Sequence, residues 1–188
     1  MFEASGMLFL YCETSLHAGT GRGFGAVDLP IQRERTTDYP FIQAGGIKGR
    51  LRAAAEGVLN KDDLYTVYGP EANSAQEHAG ALIINDAHLA LLPVRSLAGV
   101  FAYVTSMDVL ARLKRAATVV GVPLNWELPE TQPSETEAWI NGNRLTGKEN
   151  EVILNEVILE EFSFTANRGQ AQLVETIGRW FAKNALLD

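Results

Sequence analysis

Apolar positions along the chain change period several times, and each change marks an expected element. Residues 7–13 (MLFLYCE) are a short apolar run of strand length, rich in aromatics, and predict a first, buried strand. From 17 to 46 the pattern breaks. Gly19, Gly21, Gly23 and Gly25 alternate with Thr20, Arg22 and Phe24, and Pro30, Pro40 and the polar string 32–38 (QRERTTD) follow. About 30 residues without helical period are too many for an ordinary connection, and a projecting hairpin is expected there. A helix is predicted over 46–59, with Ile47, Leu51, Ala54, Ala55 and Val58 on one face. Its first turns hold Lys48, Arg50 and Arg52, against the macrodipole's preference for acids; an anion bound at that end would account for them.

Residues 69–80 are polar and predict a loop. Residues 81–95 read as two strands around a turn at Asn85-Asp86, and 99–105 as a further strand. Ser106 before an amphipathic stretch and Gly121 after it delimit a helix over 107–120, with Val109, Leu110, Leu113, Ala116 and Ala117 on its apolar side. Pro123, Pro129 and Pro133 with Glu130, Glu135 and Glu137 predict a loop or lid over about 122–150, holding an Asn141-Gly142-Asn143 turn. Residues 151–165 favour strand. A last helix over 170–187 buries Leu173, Ile177, Trp180 and Phe181. Interleaved helices and antiparallel strands predict an α+β fold, and the order is compatible with a ferredoxin-like core.

A length of 188 residues suits a single domain, 1–188. One cysteine, Cys12, excludes an internal disulfide framework and a cysteine-rich zinc site, and fits a reducing compartment. There is no apolar run of spanning length and no signal-peptide pattern at the N-terminus, so a cytoplasmic protein is expected, with no membrane partner. The net charge of −7 argues against a free-standing nucleic-acid binder, yet it is unevenly spread. Between His17 and Arg52 six basic residues (Arg22, Arg33, Arg35, Lys48, Arg50, Arg52) face three acids (Asp28, Glu34, Asp38), a local +3; the other residues carry 10 basic and 20 acidic groups, or −10. Such a stretch suggests a confined polyanion site, with chance clustering as the alternative.

The glycines of 19–25 match neither a phosphate loop nor a dinucleotide fingerprint, so a nucleotide enzyme is disfavoured. They permit close backbone approach, or simply a flexible hairpin base. His17 stands where the first strand meets this loop, positioned to contact phosphate or to serve as a half-buried structural histidine. Asp28 lies among apolar neighbours (AVDLPI) inside the basic segment. A lone carboxylate beside RNA can hold a divalent ion or accept the proton of a 2′-hydroxyl; a turn residue or a salt bridge to a nearby arginine is the plainer role.

The stretches 16–42 (LHAGTGRGFGAVDLPIQRERTTDYPFI), 43–52 (QAGGIKGRLR), 78–105 (HAGALIINDAHLALLPVRSLAGVFAYVT) and 158–166 (ILEEFSFTA) together resemble the RAMP superfamily of CRISPR effector proteins. Within it they look most like the backbone subunits of type III-B (Cmr) complexes. The resemblance implies a ferredoxin-like (RRM-like) palm, a β-hairpin thumb inserted at about 17–45 and a lid insertion at about 122–150. It also implies a chain shortened against a family that continues beyond the equivalent of Leu187. By the same resemblance, copies of the subunit are expected to stack along a CRISPR guide RNA with other Cmr subunits, and complementary target RNA to be cut at regular intervals with a divalent metal ion, Mg2+ or Mn2+.

The resemblance assigns the catalytic and metal-binding aspartate to Asp28 in VDLPIQRE. RNA contact falls to His17, Gly19, Gly21, Arg22, Arg33, Arg35, Gly45, Gly46, Lys48, Arg50 and Arg52. The family's usual serine before GIKG is Gly45 here. Such a subunit would leave bases free for pairing and grip the backbone through cations and glycine-lined surfaces. The alternative is a non-catalytic structural subunit that only binds guide RNA and neighbouring subunits.

Overall fold

A computed structural model describes residues 3–20, 29–71, 73, 76, 78–149 and 152–185. The chain divides into two compact units, Ser15–Leu89 and a second formed by Met1–Thr14 with Ala90–Asp188.

The 15–89 unit is built around two helices. Strand β1 (Phe41–Ile42) pairs antiparallel with β2 (Ala87–His88). Helix α1 (Ala44–Ala55) starts two residues before the expected helix and ends before Val58, which is 82% exposed; its buried anchor is Ile47. Helix α2 (Lys61–Tyr68) lies in a stretch with no expected element. Its signals are local: the Asn60 side chain accepts the N–H of Asp63 at 2.9 Å, and Asp62 and Asp63 fill the first turn. Residues 81–84, expected as a strand, form none. Leu82 and Ala81 instead donate their N–H groups to the carbonyls of Val67 and Thr66, against the end of α2.

The other unit carries a sheet of six strands: β3 (Leu92–Ser96), β4 (Val100–Val104), β5 (Glu137–Trp139), β6 (Thr146–Glu149), β7 (Val152–Leu159) and β8 (Phe162–Asn167). The order is β4-β3-β7-β8-β5 with β6 also on β7, and all pairs are antiparallel except β5–β8. The expected strand over 151–165 is thus a hairpin, turned at Glu160 with φ 53°. Helix α3 (Met107–Val120) has the expected bounds, buries Val109, Leu110, Leu113 and Ala117, and stops at Gly121 with φ 72°. Ala116, expected on that apolar side, is exposed. Helix α4 (Ala171–Ala185) buries Ile177, Trp180 and Phe181.

These helices meet in one core. Leu110 and Leu113 pack with Trp126, Ile177, Trp180 and Phe181, and Trp126 and Trp180 stand edge to face at 6.2 Å. The stretch expected as a loop or lid is therefore packed over part of its length, since Trp126 is 4% exposed and Val122, Leu124 and Leu128 lie against the same cluster. Each such aromatic contributes about 1.5–3 kcal/mol by leaving water, more than a loop's backbone freedom costs at that residue.

Residues 7–13, expected as a buried strand, enter no ladder. The alternation is kept without the pairing: Met7 and Phe9 turn to the core while Leu8 and Leu10 are exposed.

Candidate functional site

The basic, glycine-rich segment falls within the 15–89 unit. Its base is a short antiparallel ladder: Gln32 N–H donates to Ala18 O at 2.7 Å, Thr20 N–H to Pro30 O at 3.0 Å, and Gly19 bridges Ile31. The Gln32 side chain adds a bond to Gly19 O at 2.9 Å. Leu29 packs on Gly19, where an added Cβ would meet its side chain at 3.1 Å, so glycine suits this crossing. Gly21, Arg22 and Asp28 lie outside the described residues.

His17 is tied to the same base: its Nε2 is 2.7 Å from Leu29 O. A carbonyl only accepts, so Nε2 carries the proton and the ring braces the residue that follows Asp28. A second turn follows. Glu34 N–H donates to Tyr39 O at 2.8 Å, Arg33 donates to Asp38 O at 2.8 Å, and Arg33 bridges Pro40. Arg35 sits exposed in that turn and bonds to no other described residue. Glu34 meets His88 Nδ1 at 2.7 Å, which links the turn to β2.

The cations of α1 divide by function. Lys48 Nζ donates to Leu82 O at 2.8 Å. The Arg52 guanidinium donates to Gly69 O and to Pro70 O (3.3 Å) and lies 5.6 Å from the centre of the Tyr65 ring. Both side chains thus hold the carbonyls of Gly69, Pro70 and Leu82 against α1. The Arg50 side chain is exposed and makes no hydrogen bond or ion pair to another described residue. Beside it Gly45, Gly46 and Gly49 have nothing within 4 Å of where a Cβ would stand. Internal packing does not require glycine at these three helix positions, where each costs about 1 kcal/mol against alanine.

The anion expected at the start of α1 is in part the chain's own. Asp86 Oδ1 accepts the N–H of Ala44 at 2.7 Å, while Gln43 at the N-cap makes no side-chain bond and no acid occupies the first turn. The sequence marks Asp86 only as a turn residue; its distance from Ala44 along the chain hides the pairing. Gln32 is likewise unmarked.

Among the described residues no group of three or more His, Cys, Asp or Glu is placed to hold a metal ion, and no helix is long and apolar enough to cross a membrane. The described side chains therefore do not form a donor set for the divalent ion that the resemblance implies.

Comparison with known proteins gives the family. The chain is 37% identical over 171 residues to a protein of Pyrococcus furiosus named CRISPR system Cmr endoribonuclease Cmr4, covering 89% of this chain and 55% of that one. The crystal structure of oligomeric Cmr4 from the same organism superimposes with a TM-score of 0.69 at 32% identity, over 92% of this chain and 59% of that one. A chain of a type III-B Cmr-beta cryo-EM structure shares the fold, with a TM-score of 0.59 at 22% identity, over 84% of this chain and 57% of that one. The chain thus spans little more than half the length of the relatives it matches. The family match runs over residues 9–183, through both compact units, and by it the chain belongs to the RAMP superfamily.

Proposed function

We propose that this chain is a guide-RNA-binding backbone subunit of a type III-B CRISPR effector complex, assembling with other copies of itself and with other Cmr subunits, and cutting complementary target RNA at regular intervals. The observation that carries the reading is its 37% identity with a protein named an endoribonuclease. The ladder of 18–20 with 30–32 supports an inserted thumb, because it forms the narrow two-stranded base that such an insertion needs.

In this reading the exposed cations Arg35 and Arg50 meet backbone phosphate, and the bare glycines of α1 let the strand lie close. Asp28, placed beside a splayed target nucleotide, accepts the proton of the 2′-hydroxyl as that oxygen attacks the adjacent phosphorus. The bond to the 5′-oxygen breaks, and the leaving oxygen takes a proton from water. A divalent ion, Mg2+ or Mn2+, belongs to the reading as a group held by Asp28 together with RNA oxygens; it would supply charge stabilisation at the phosphate.

Asp28→Ala in the assembled complex should abolish target cutting while guide RNA is retained. Unchanged cutting would leave the structural-subunit alternative standing.

A further inference from the structure

Residues 141–144 turn between Ile140 and Leu145, both of which pack in the apolar cluster of Val157 and Ala166. The turn is tied at its edges. Ile140 N–H donates to Asn167 O at 3.0 Å, and the Thr146 hydroxyl donates to Asn143 O at 2.9 Å. Arg168 spans two amides, donating to Asn143 Oδ1 at 2.8 Å and to Asn155 Oδ1 at 2.9 Å, which joins the turn to β7. Other asparagines of this unit are held as well. Asn167 donates to Glu137 and accepts the N–H of Gly169, and Asn184 donates to Trp180 O.

Asn141 differs from these. It is exposed in a bend, and its side chain bonds to no described residue. The N–H of the next residue, Gly142, is equally without a described partner. Beside Gly142 the space is open, with nothing within 4 Å of where a Cβ would stand. An asparagine carries its own Cγ within reach of the following backbone nitrogen, so the two react as parts of one molecule. A side chain on the following residue hinders that approach, and a hydrogen-bonded N–H in a helix or ladder opposes it. A glycine in an exposed bend meets neither obstacle.

We propose that Asn141-Gly142 is a self-modification site, converting to isoaspartate and aspartate in the folded chain. Hydroxide removes the Gly142 amide proton, and the bared nitrogen attacks Cγ of Asn141. The bond from Cγ to the side-chain nitrogen breaks, and that nitrogen leaves as ammonia after taking a proton from water. The product is a succinimide ring, which water opens at either carbonyl. Cleavage at Cγ gives aspartate; cleavage at the main-chain carbonyl gives isoaspartate, with the backbone rerouted through Cβ. Both products add a negative charge, but only isoaspartate lengthens the main chain, by about 1.5 Å. Ile140 and Leu145 are anchored in the apolar cluster, so the added length falls on the turn and loosens Asn143 from Arg168. The proposal involves no RNA, so it stands or falls separately from the reading above.

The test is to keep the purified, folded chain at neutral and at mildly alkaline pH and to follow its asparagines by peptide mass spectrometry. Asn141 should gain the mass that separates an amide from an acid at least tenfold faster than Asn155, Asn167 or Asn184 in the same sample. Its rate should rise in proportion to hydroxide, and an isoaspartate-specific carboxyl methyltransferase should then label the chain at 141. Asn141→Gln, at an exposed position without a bond, should abolish both signals and keep the melting temperature. Asn141→Asp carries the charge on a main chain of ordinary length, so it should melt with the parent while the isoaspartyl fraction melts lower. Conversion no faster than at the three held asparagines, conversion only in urea, or aspartate without isoaspartate overturns the proposal. An isoaspartyl fraction as stable as Asn141→Asp overturns the loosening of the turn.

Discussion

The carboxylate of Asp86 caps helix α1 at Ala44, forty-two residues earlier in the chain, through a 2.7 Å bond from the backbone N–H. Since α1 has neither a side-chain cap of its own nor an acid in its first turn, this one contact compensates both lacks. It also fixes the direction in which the helix presents Arg50. Asp86→Ala should cost about 1 kcal/mol, the usual value of a missing cap, and Asp86→Asn less because an acceptor remains. The denaturation midpoint of the purified chain measures both. Equal midpoints for Asp86→Ala and the parent would mean the carboxylate is not a cap in solution.

The division among the basic residues gives a second expectation. Lys48→Ala and Arg52→Ala remove charged donors from backbone carbonyls and should each lower stability by about 1–3 kcal/mol. Arg35→Ala and Arg50→Ala leave those bonds intact and should keep the melting temperature. In the assembled complex they should weaken guide RNA binding and reduce its logarithmic salt slope by about 0.7 for each phosphate no longer neutralised. A reversed outcome, with Lys48 and Arg52 setting the slope at unchanged stability, would return them to the RNA surface that the family resemblance assigned.

How far the sequence carried depended on whether an element's signals were local. Helix α3 was legible to the residue because Ser106, the apolar face and Gly121 lie within or beside it. Helix α4 and its buried Trp180 were equally plain. Residues 7–13 read as a strand because an apolar run resembles one, but pairing is a property of the neighbour and not of the run. Trp126 falls in a proline-punctuated stretch whose acids suggest a lid, and a single aromatic outweighs them. At the candidate site the motif residues were found by resemblance, whereas Asp86 and Gln32 were missed because each acts on a backbone group remote in sequence. The uses of Lys48 and Arg52 were hidden too: a cation's partner is not encoded in the cation.

Gly80 has no conformational reason to be glycine, yet it has a steric one. An added Cβ would stand 2.4 Å from the backbone N of Gly69 and 2.6 Å from Val67 O. Both obstacles are backbone at the end of α2, which cannot swing aside as a flexible side chain can. Gly80→Ala should therefore cost several times the ~1 kcal/mol typical of a point mutation, by prising residues 80–82 from α2 and releasing the carbonyl partners of Lys48 and Arg52. Thermal unfolding reads this directly, and an alanine variant as stable as the parent would show that the two segments do not touch.

Trp126 offers a contrast in the other unit. It is almost wholly buried, but its indole N–H finds no partner among the described residues. Trp126→Ala should cost about 3–5 kcal/mol through the cavity it leaves. Trp126→Phe should cost much less, because the smaller ring removes an unsatisfied donor along with some packing area. If the phenylalanine variant proves as damaging as alanine, the N–H has a partner and the balance was misjudged.

The Tyr11–Tyr103 contact supplies a pH-dependent readout of how residues 7–11 are held beside β4. The hydrogen bond that the Tyr103 hydroxyl donates to Tyr11 favours its protonated form and raises the pKa of Tyr103 above its ordinary 10, with slight desolvation and the neighbouring phenol acting in the same direction. A folded-state pKa raised above the unfolded value means that the contact's stabilisation is complete below pH 10 and disappears as pH rises through the titration of Tyr103. Tyr11→Phe removes the hydrogen bond and the neighbouring charge together, so Tyr103 should titrate close to 10 in that variant, as followed by tyrosinate absorbance with Tyr103→Phe as the control. An unaltered titration of Tyr103 would mean that the segment is not held against β4 by this pair, and Phe9 on Trp180 would be left as its anchor.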